Sequence, residues 1–245
     1  MPLLGVRFER GEAMTESSPG VDRLNLLRAK GGVQAAAYSF LRRMFLLDAY
    51  CIVAENVSAL RADDLVVCEN AQFLCIERPD QFLALPIGLR EQMDDASGCG
   101  VEEAARAGGR VYAMVNNDEL LVQLQIEDRV ARVDTPARLR FDLGERGAFL
   151  SFLYTAPKFR RGGWATRLIK STCVDLKARG VEVCYAHIQA TNVRSLNTFS
   201  RLGWTHVARL LATPGGRYLG AFRTARGVSM EVSLCITSAS RHDGP

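Results

Sequence analysis

The stretch that most constrains this chain runs from Ala148 to Trp204, centred on Phe159-Arg160-Arg161-Gly162-Gly163-Trp164-Ala165-Thr166. Ahead of the centre lies Ala148-Phe149-Leu150-Ser151-Phe152-Leu153-Tyr154, an apolar run rich in the bulky and aromatic residues that favour a strand. Behind it, Trp164, Leu168, Thr172 and Leu176 recur at helical spacing and Gly180 supplies a stop. The centre is therefore a strand, a basic glycine-bearing turn and the start of a helix. The first turn of a helix leaves its N–H groups unpaired, and the aligned peptide dipoles put partial positive charge there. Glycine lets a ligand oxygen approach the backbone with no Cβ in the way, so such a turn is a cradle for phosphate. Arg160 and Arg161 add charge. Taken alone, the turn fits a plain strand ending with solvated arginines as well as it fits a cradle.

A second block resolves the ambiguity. The strand-like run Val181-Glu182-Val183-Cys184-Tyr185-Ala186-His187-Ile188 leads into Asn192-Val193-Arg194-Ser195-Leu196-Asn197-Thr198-Phe199-Ser200-Arg201-Leu202-Gly203-Trp204. Arg160-x-x-Gly163-x-Ala165 resembles the pyrophosphate-binding signature of the GCN5-related N-acetyltransferase (GNAT) superfamily. The Asn192 block resembles that family's other hallmark, Asn-x-x-Ser/Ala-x-x-x-aromatic-x-x-x-Gly-aromatic. The resemblance is motif-grade over 148–204 and a matter of element pattern over roughly 68–147 and 205–235. It implies the mixed α/β sheet of the acyl-CoA N-acyltransferase fold, with an N-terminal helix-strand extension. It also implies acetyl-CoA as acyl donor and a primary amine as acceptor. Leu153, Tyr154 and Thr155 then pair through their main chain with the pantetheine arm. Arg160, Arg161, Gly162, Gly163, Trp164, Ala165 and Thr166 surround the pyrophosphate, and Asn192 and Ser195 lie beside the arm. Asn192 fits a helix N-cap equally, Ser195 a capping-zone residue, and Trp164 reads first as packing.

The chain departs from the family pattern where the chemistry lies. Many relatives carry Tyr at the position of Phe199, where its hydroxyl protonates the leaving thiolate. Phe199 has no proton to give. The central strand, 148–154, contains no carboxylate where the family's glutamate stands. The proton-transfer candidates that remain are Glu127, His187 and Tyr154, followed by Glu145 and Tyr185, with water as the alternative. His187 has the near-neutral reference pKa of a base, and a lone strand histidine also fits a core residue. These departures leave an acyl-CoA-binding regulatory module, or a different acyl donor, as rivals to the acetyltransferase.

Composition narrows the rest. The hydrophobic and charged fractions, 48% and 24%, are those of an ordinary globular chain. A net charge of +4, with basic residues dispersed outside the turn, argues against nucleic acid, which calls for a basic face. The seven cysteines form no Cys-x-x-Cys pair and mostly sit in apolar runs, so they read as buried thiols of a reducing compartment. No metal site is expected from three dispersed histidines. The most apolar early stretch, 33–54, is interrupted by Arg42, Arg43 and Asp48. A membrane span needs about 20 largely uncharged residues, so none is expected and the protein reads as cytoplasmic.

In chain order, 1–20 reads as a disordered start and 21–66 as a helical extension. Within it Ala36, Ala37, Phe40, Leu41, Met44 and Leu47 share one helical face, followed by a strand at Tyr50–Ala54. That face fits a packing appendage or a homodimer surface. The acetyltransferase domain is expected over 67–237. It begins with a strand at Ala71–Ile76, a helix over Asp80–Met93 despite Pro86, and a short helix at Val101–Ala107. A hairpin about Asn116-Asn117-Asp118-Glu119 follows, then a polar connection over Asp134–Gly147. Strands are expected at His206–Ala212, Tyr218–Arg223 and Val228–Ile236, and a polar tail over 238–245.

Overall fold

The computed structural model describes residues 48–60, 71–98, 100–133, 139–213, 218–224 and 235–238. The expected disordered start, the amphipathic helix over 33–47 and all of the tail beyond Ser238 lie outside the described residues.

The described residues form two sheets and five α-helices. The strands are β1 Asp48–Asn56, β2 Gln72–Ile76, β3 Arg110–Asn116, β4 Glu119–Asp128, β5 Val130–Val133, β6 Leu139–Asp142, β7 Gly147–Thr155, β8 Val183–Gln189, β9 Thr205–Ala212, β10 Tyr218–Arg223 and β11 Cys235–Ser238. The helices are α1 Pro79–Leu83, α2 Ile87–Asp95, α3 Val101–Arg106, α4 Trp164–Ala178 and α5 Val193–Arg201. The large sheet runs β10-β9-β1-β8-β7-β4-β3-β2, and β11-β6-β5 make a small one. All large-sheet pairs are antiparallel except β7 with β8, so the sheet is mixed.

Side-chain alternation along the strands sends residues to two opposite faces. On one, Tyr112, Met114, Val122, Leu124, Leu150 and Ala186 pack with Leu168, Ile169 and Leu176 of α4 and Phe199 of α5. The other face is shared. Helices α1–α3 cover Val111, Ala113 and Val115, while the small sheet covers Tyr50, Ile52, Phe149 and Tyr185. Phe141 of β6 stacks on Phe149 with centroids 4.8 Å apart. Helix α4 is tied to the sheet by the Tyr112 hydroxyl, which donates to Asp175 Oδ2 at 2.6 Å. The helix ends before Gly180, whose φ of 84° suits the left-handed turn that follows.

Most expected elements are present at nearly the expected bounds. The hairpin turn holds Asn117 at φ 47° and Asp118 at φ 61°, as a two-residue turn with both central residues left-handed requires. The helix expected over Asp80–Met93 is two, because Pro86 lacks an N–H and disfavours helical geometry at Leu85; it caps α2 instead. The polar connection over 134–147 contains β6, where buried Leu139 and Phe141 alternate with Arg140 and Asp142. Four residues are too short a period to stand out from a loop.

The larger difference is β1. Read as part of an extension that precedes the core, it lies inside the large sheet, antiparallel to both β8 and β9. The cause is in its composition. Cys51, Ile52, Val53 and Ala54 are all buried, so both faces of the strand are apolar, and only an interior position covers both.

Candidate active site

Strands β7 and β8 are in register from Gly147 opposite Val183 to Leu150 opposite Ala186, and there the pairing stops. Both strands continue, β7 to Thr155 and β8 to Gln189. The parting has a local cause on the other side of β7. Its register with β4 shifts between Gln123 and Gln125, and Phe152 takes φ 49°, a strained value for an aromatic residue. A bulge of this kind bends its strand and increases its twist, and the β8 ladder ends beside it. Beyond Leu150 the β7 backbone groups that would face β8 have no ladder partner. The wedge is a cleft of about 140 Å³, lined among others by Leu150, Ser151, Phe152, His187, Asn192 and Phe199. Leu150 and Phe199 belong to the α4–α5 face, whereas Phe149 stacks on His187 on the other, so the cleft reaches both faces of the sheet.

The same end of β7 runs into the basic turn. A 3-10 turn at Pro157–Phe159 follows the strand, and Arg161 and Gly163 then take φ 70° and 76°. Gly163 caps α4 without a side chain, and the first intrahelical bond is Arg167 N–H to Gly163 C=O at 3.1 Å. The amides of Trp164, Ala165 and Thr166 therefore have no helical acceptor. The two glycines do different jobs. A Cβ on Gly162 would come within 2.9 Å of Trp164 Nε1, whereas one on Gly163 would meet nothing within 4 Å. Gly162 makes room for Trp164, and Gly163 supplies the left-handed backbone with open space around its Cα. Arg160 and Arg161 are exposed beside it, with Arg160 Nε donating to Thr155 C=O at 3.2 Å. Trp164 is half-buried against the α4 core and carries Arg167 over its ring at 4.8 Å, which agrees with a packing role.

Asn192 Oδ1 accepts the Ser195 N–H at 3.2 Å, so it is the N-cap of α5 and at once a wall of the cleft, as is Ser195. Phe199 is 2% exposed and meets Trp204 edge-on at 4.7 Å. Of the proton-transfer candidates, His187 lies in the cleft wall. Its ring is stacked on Phe149 at 5.8 Å and flanked by Tyr50 at 6.0 Å, and burial pushes its pKa down to about 4. The others lie elsewhere. Glu127 sits opposite Phe149, away from the parting, and its Oε2 accepts the Arg132 N–H at 3.0 Å. Exposed Glu145 belongs to the turn before β7. Tyr154 packs with the α1–α3 cluster, and Tyr185 lies beneath the small sheet, its pKa raised by burial to about 12. Ser151 and Phe152 are cleft residues that the motifs did not single out. Ser151 is the one polar residue within the apolar run 148–154 save the Tyr154 hydroxyl, and that was the available signal.

The sequence matches a known family. The acetyltransferase (GNAT) family model matches residues 71–204, more than half of the chain, and the chain belongs to that family. Among solved structures, a GNAT-family acetyltransferase structure from Novosphingobium aromaticivorans DSM 12444 is 17% identical, covering 68% of this chain and 63% of that one, with a TM-score of 0.45. A GNAT structure from Kribbella flavida is 13% identical, with coverages of 69% and 59% and a TM-score of 0.42. One from Ralstonia eutropha JMP134 is 16% identical, with coverages of 55% and 91% and a TM-score of 0.35. This chain spans under two thirds of the first two. No curated protein matches it. Among the described residues no cluster of three or more His, Cys, Asp or Glu is placed to hold a metal ion, and no helix is long and apolar enough to cross a membrane.

Proposed function

We propose that the chain is an N-acetyltransferase that moves the acetyl group of acetyl-CoA to a primary amine by direct attack in a ternary complex. The observation that carries this reading is a convergence at one end of β7: an open helix N-terminus flanked by arginines, beside two parallel strands that part. The unpaired amides of Trp164, Ala165 and Thr166 at the end of the 161–166 turn receive the pyrophosphate, with Arg160, Arg161 and the Thr166 hydroxyl adding to the field. Main-chain groups of Leu153, Tyr154 and Thr155 pair with the amides of the pantetheine arm, which passes Asn192 and Ser195. A backbone N–H of the parted strand polarises the thioester carbonyl, and the fixed placement of both reactants supplies much of the rate. His187 is the cleft group able to take the amine proton. Phe199 offers none to the departing thiolate, so water does. The free thiols of Cys51, Cys173 and Cys184 in the core fit a reducing compartment, the cytoplasm.

Two observations favour a second reading, an acyl-CoA-binding regulatory module with little catalysis: Phe199 in place of a proton donor, and a His187 of low basicity. A longer or different acyl donor is a variant of the first reading. Release of free CoA thiol from acetyl-CoA, followed over a panel of amines with the products weighed by mass spectrometry, separates them. Turnover with an acetylated amine is the expected result. Binding of acetyl-CoA with no thiol release above buffer for any amine would establish the module instead.

A further inference from the structure

The point where β7 and β8 part carries two polar side chains, Ser151 and His187, that no contact with the acyl donor accounts for. Leu150 and Ala186 are the last pair in register, so the next residues on the two strands are Ser151 and His187. Leu150 and Ala186 pack into the α4–α5 core, and alternation turns Ser151 and His187 to the opposite face, where both line the cleft. Ser151 is 7% exposed. Among the described residues neither its Oγ nor His187 Nδ1 has a hydrogen-bond partner, although both atoms are buried. Buried polar atoms in folded proteins are nearly always paired, so two orphans at one cleft point to a ligand that completes them. The His187 ring is held in place by Phe149 and Tyr50, so its unpartnered Nδ1 has a fixed direction.

Resting on the acyl-transfer reading above, we propose that Ser151 Oγ and His187 Nδ1 accept the two N–H bonds of an uncharged primary amine, and that the acceptor is therefore a weakly basic amine, an aromatic amine or a hydrazide, rather than an alkylammonium such as a lysine side chain. With the ring proton on Nε2, both atoms present lone pairs, and the amine nitrogen keeps its own lone pair for the thioester. Nitrogen attacks the carbonyl carbon, the C–N bond forms, and the C–S bond breaks with its electron pair leaving on sulfur. One N–H proton passes to His187 Nδ1 and from there to solvent, while the thiolate takes one from water. Burial keeps His187 neutral and weakly basic, with a pKa of about 4. An alkylammonium with a pKa near 10.4 would have to surrender its proton to it against a ratio of about 10⁶. The proton of an amine already bonded to carbonyl carbon is far more acidic and passes readily.

The test compares aniline and benzhydrazide with benzylamine and the side-chain amine of Nα-acetyl-lysine, at fixed acetyl-CoA and neutral pH, on the full chain. The weakly basic pair should exceed the alkylamines at least tenfold in kcat/KM. Ser151→Ala should raise KM for aniline about tenfold while acetyl-CoA affinity stays within twofold. His187→Asn, whose side-chain oxygen can still accept an N–H, should keep KM within a few-fold and lose kcat, whereas His187→Ala should lose both. Alkylamines acetylated as well as aniline, or Ser151→Ala leaving every amine unchanged, would overturn this proposal and leave the acetyltransferase reading standing. Failure to bind acetyl-CoA, or to acetylate any amine, would overturn both. The wild-type comparison needs no variant to fold.

Discussion

At the residue scale the site divides into groups that hold charge and groups that avoid it. Arg160 and Arg161 stand exposed at an open helix N-terminus, and Arg160→Ala should weaken acetyl-CoA binding by about 1 kcal/mol, roughly one charge-assisted hydrogen bond in a solvated setting. Fluorescence or calorimetric titration would check it, and an unchanged affinity would remove Arg160 from the site. His187 behaves oppositely. Its folded pKa, about 4, lies below the ordinary 6.5, so between those values the unfolded chain holds more protons and stability falls as pH falls. Urea unfolding at pH 7 and pH 4.5 should show a loss of at most about 3 kcal/mol from this residue. His187→Gln should flatten that part of the profile; an unaltered slope would mean that His206, also lowered by burial, carries it. The turn was legible in the sequence because glycine and arginine spacing is a local signal. Ser151 showed only as a lone polar residue in an apolar run, and its place in the cleft depends on where the β7–β8 ladder ends.

At the element scale, α4 carries the proposed cradle, and what fixes α4 fixes the candidate site. Tyr112→Phe removes the bond to Asp175 and should lower stability by about 1–2 kcal/mol. Because Asp175 keeps Arg179 as a partner at 2.5 Å, acetyl-CoA affinity should change less than threefold. Chemical denaturation together with a binding titration checks both halves. A large loss of affinity at unchanged stability would mean that the β3 contact tunes the site directly. The hairpin and the helix that Gly180 ends were readable from turn chemistry and periodicity. The division of the early helix at Pro86 and the four-residue β6 were not, because one depends on where a chain prefers to break and the other on a sheet that forms around it.

At the scale of the whole molecule, the sheet is closed by a strand that lies outside the motif region. Motifs place β7, α4, β8 and α5 correctly, yet nothing in 148–204 says that Asp48–Asn56 separates β8 from β9. That order is a long-range fact. Local pattern identifies β1 as a strand, and only its two buried faces disclose an interior seat. A chain beginning at residue 57 should therefore not fold, since β8 and β9 would each lose a whole ladder and their covering core. Circular dichroism and size exclusion would decide. A folded, monomeric truncation would make β1 an accessory after all.

The central claim is that the turn before α4 holds the acyl donor. Calorimetric titration of acetyl-CoA into the wild type and Gly163→Glu tests it most directly, with thermal unfolding to confirm that the variant folds. A Cβ at 163 would meet nothing within 4 Å, and a glutamate there adds negative charge beside the proposed pyrophosphate cradle, on a backbone with φ 76°. Saturable binding to the wild type, lost in a folded Gly163→Glu, is the predicted result. Equal binding by both would place the donor elsewhere, and binding by neither would reduce the acetyltransferase account to a statement about the fold.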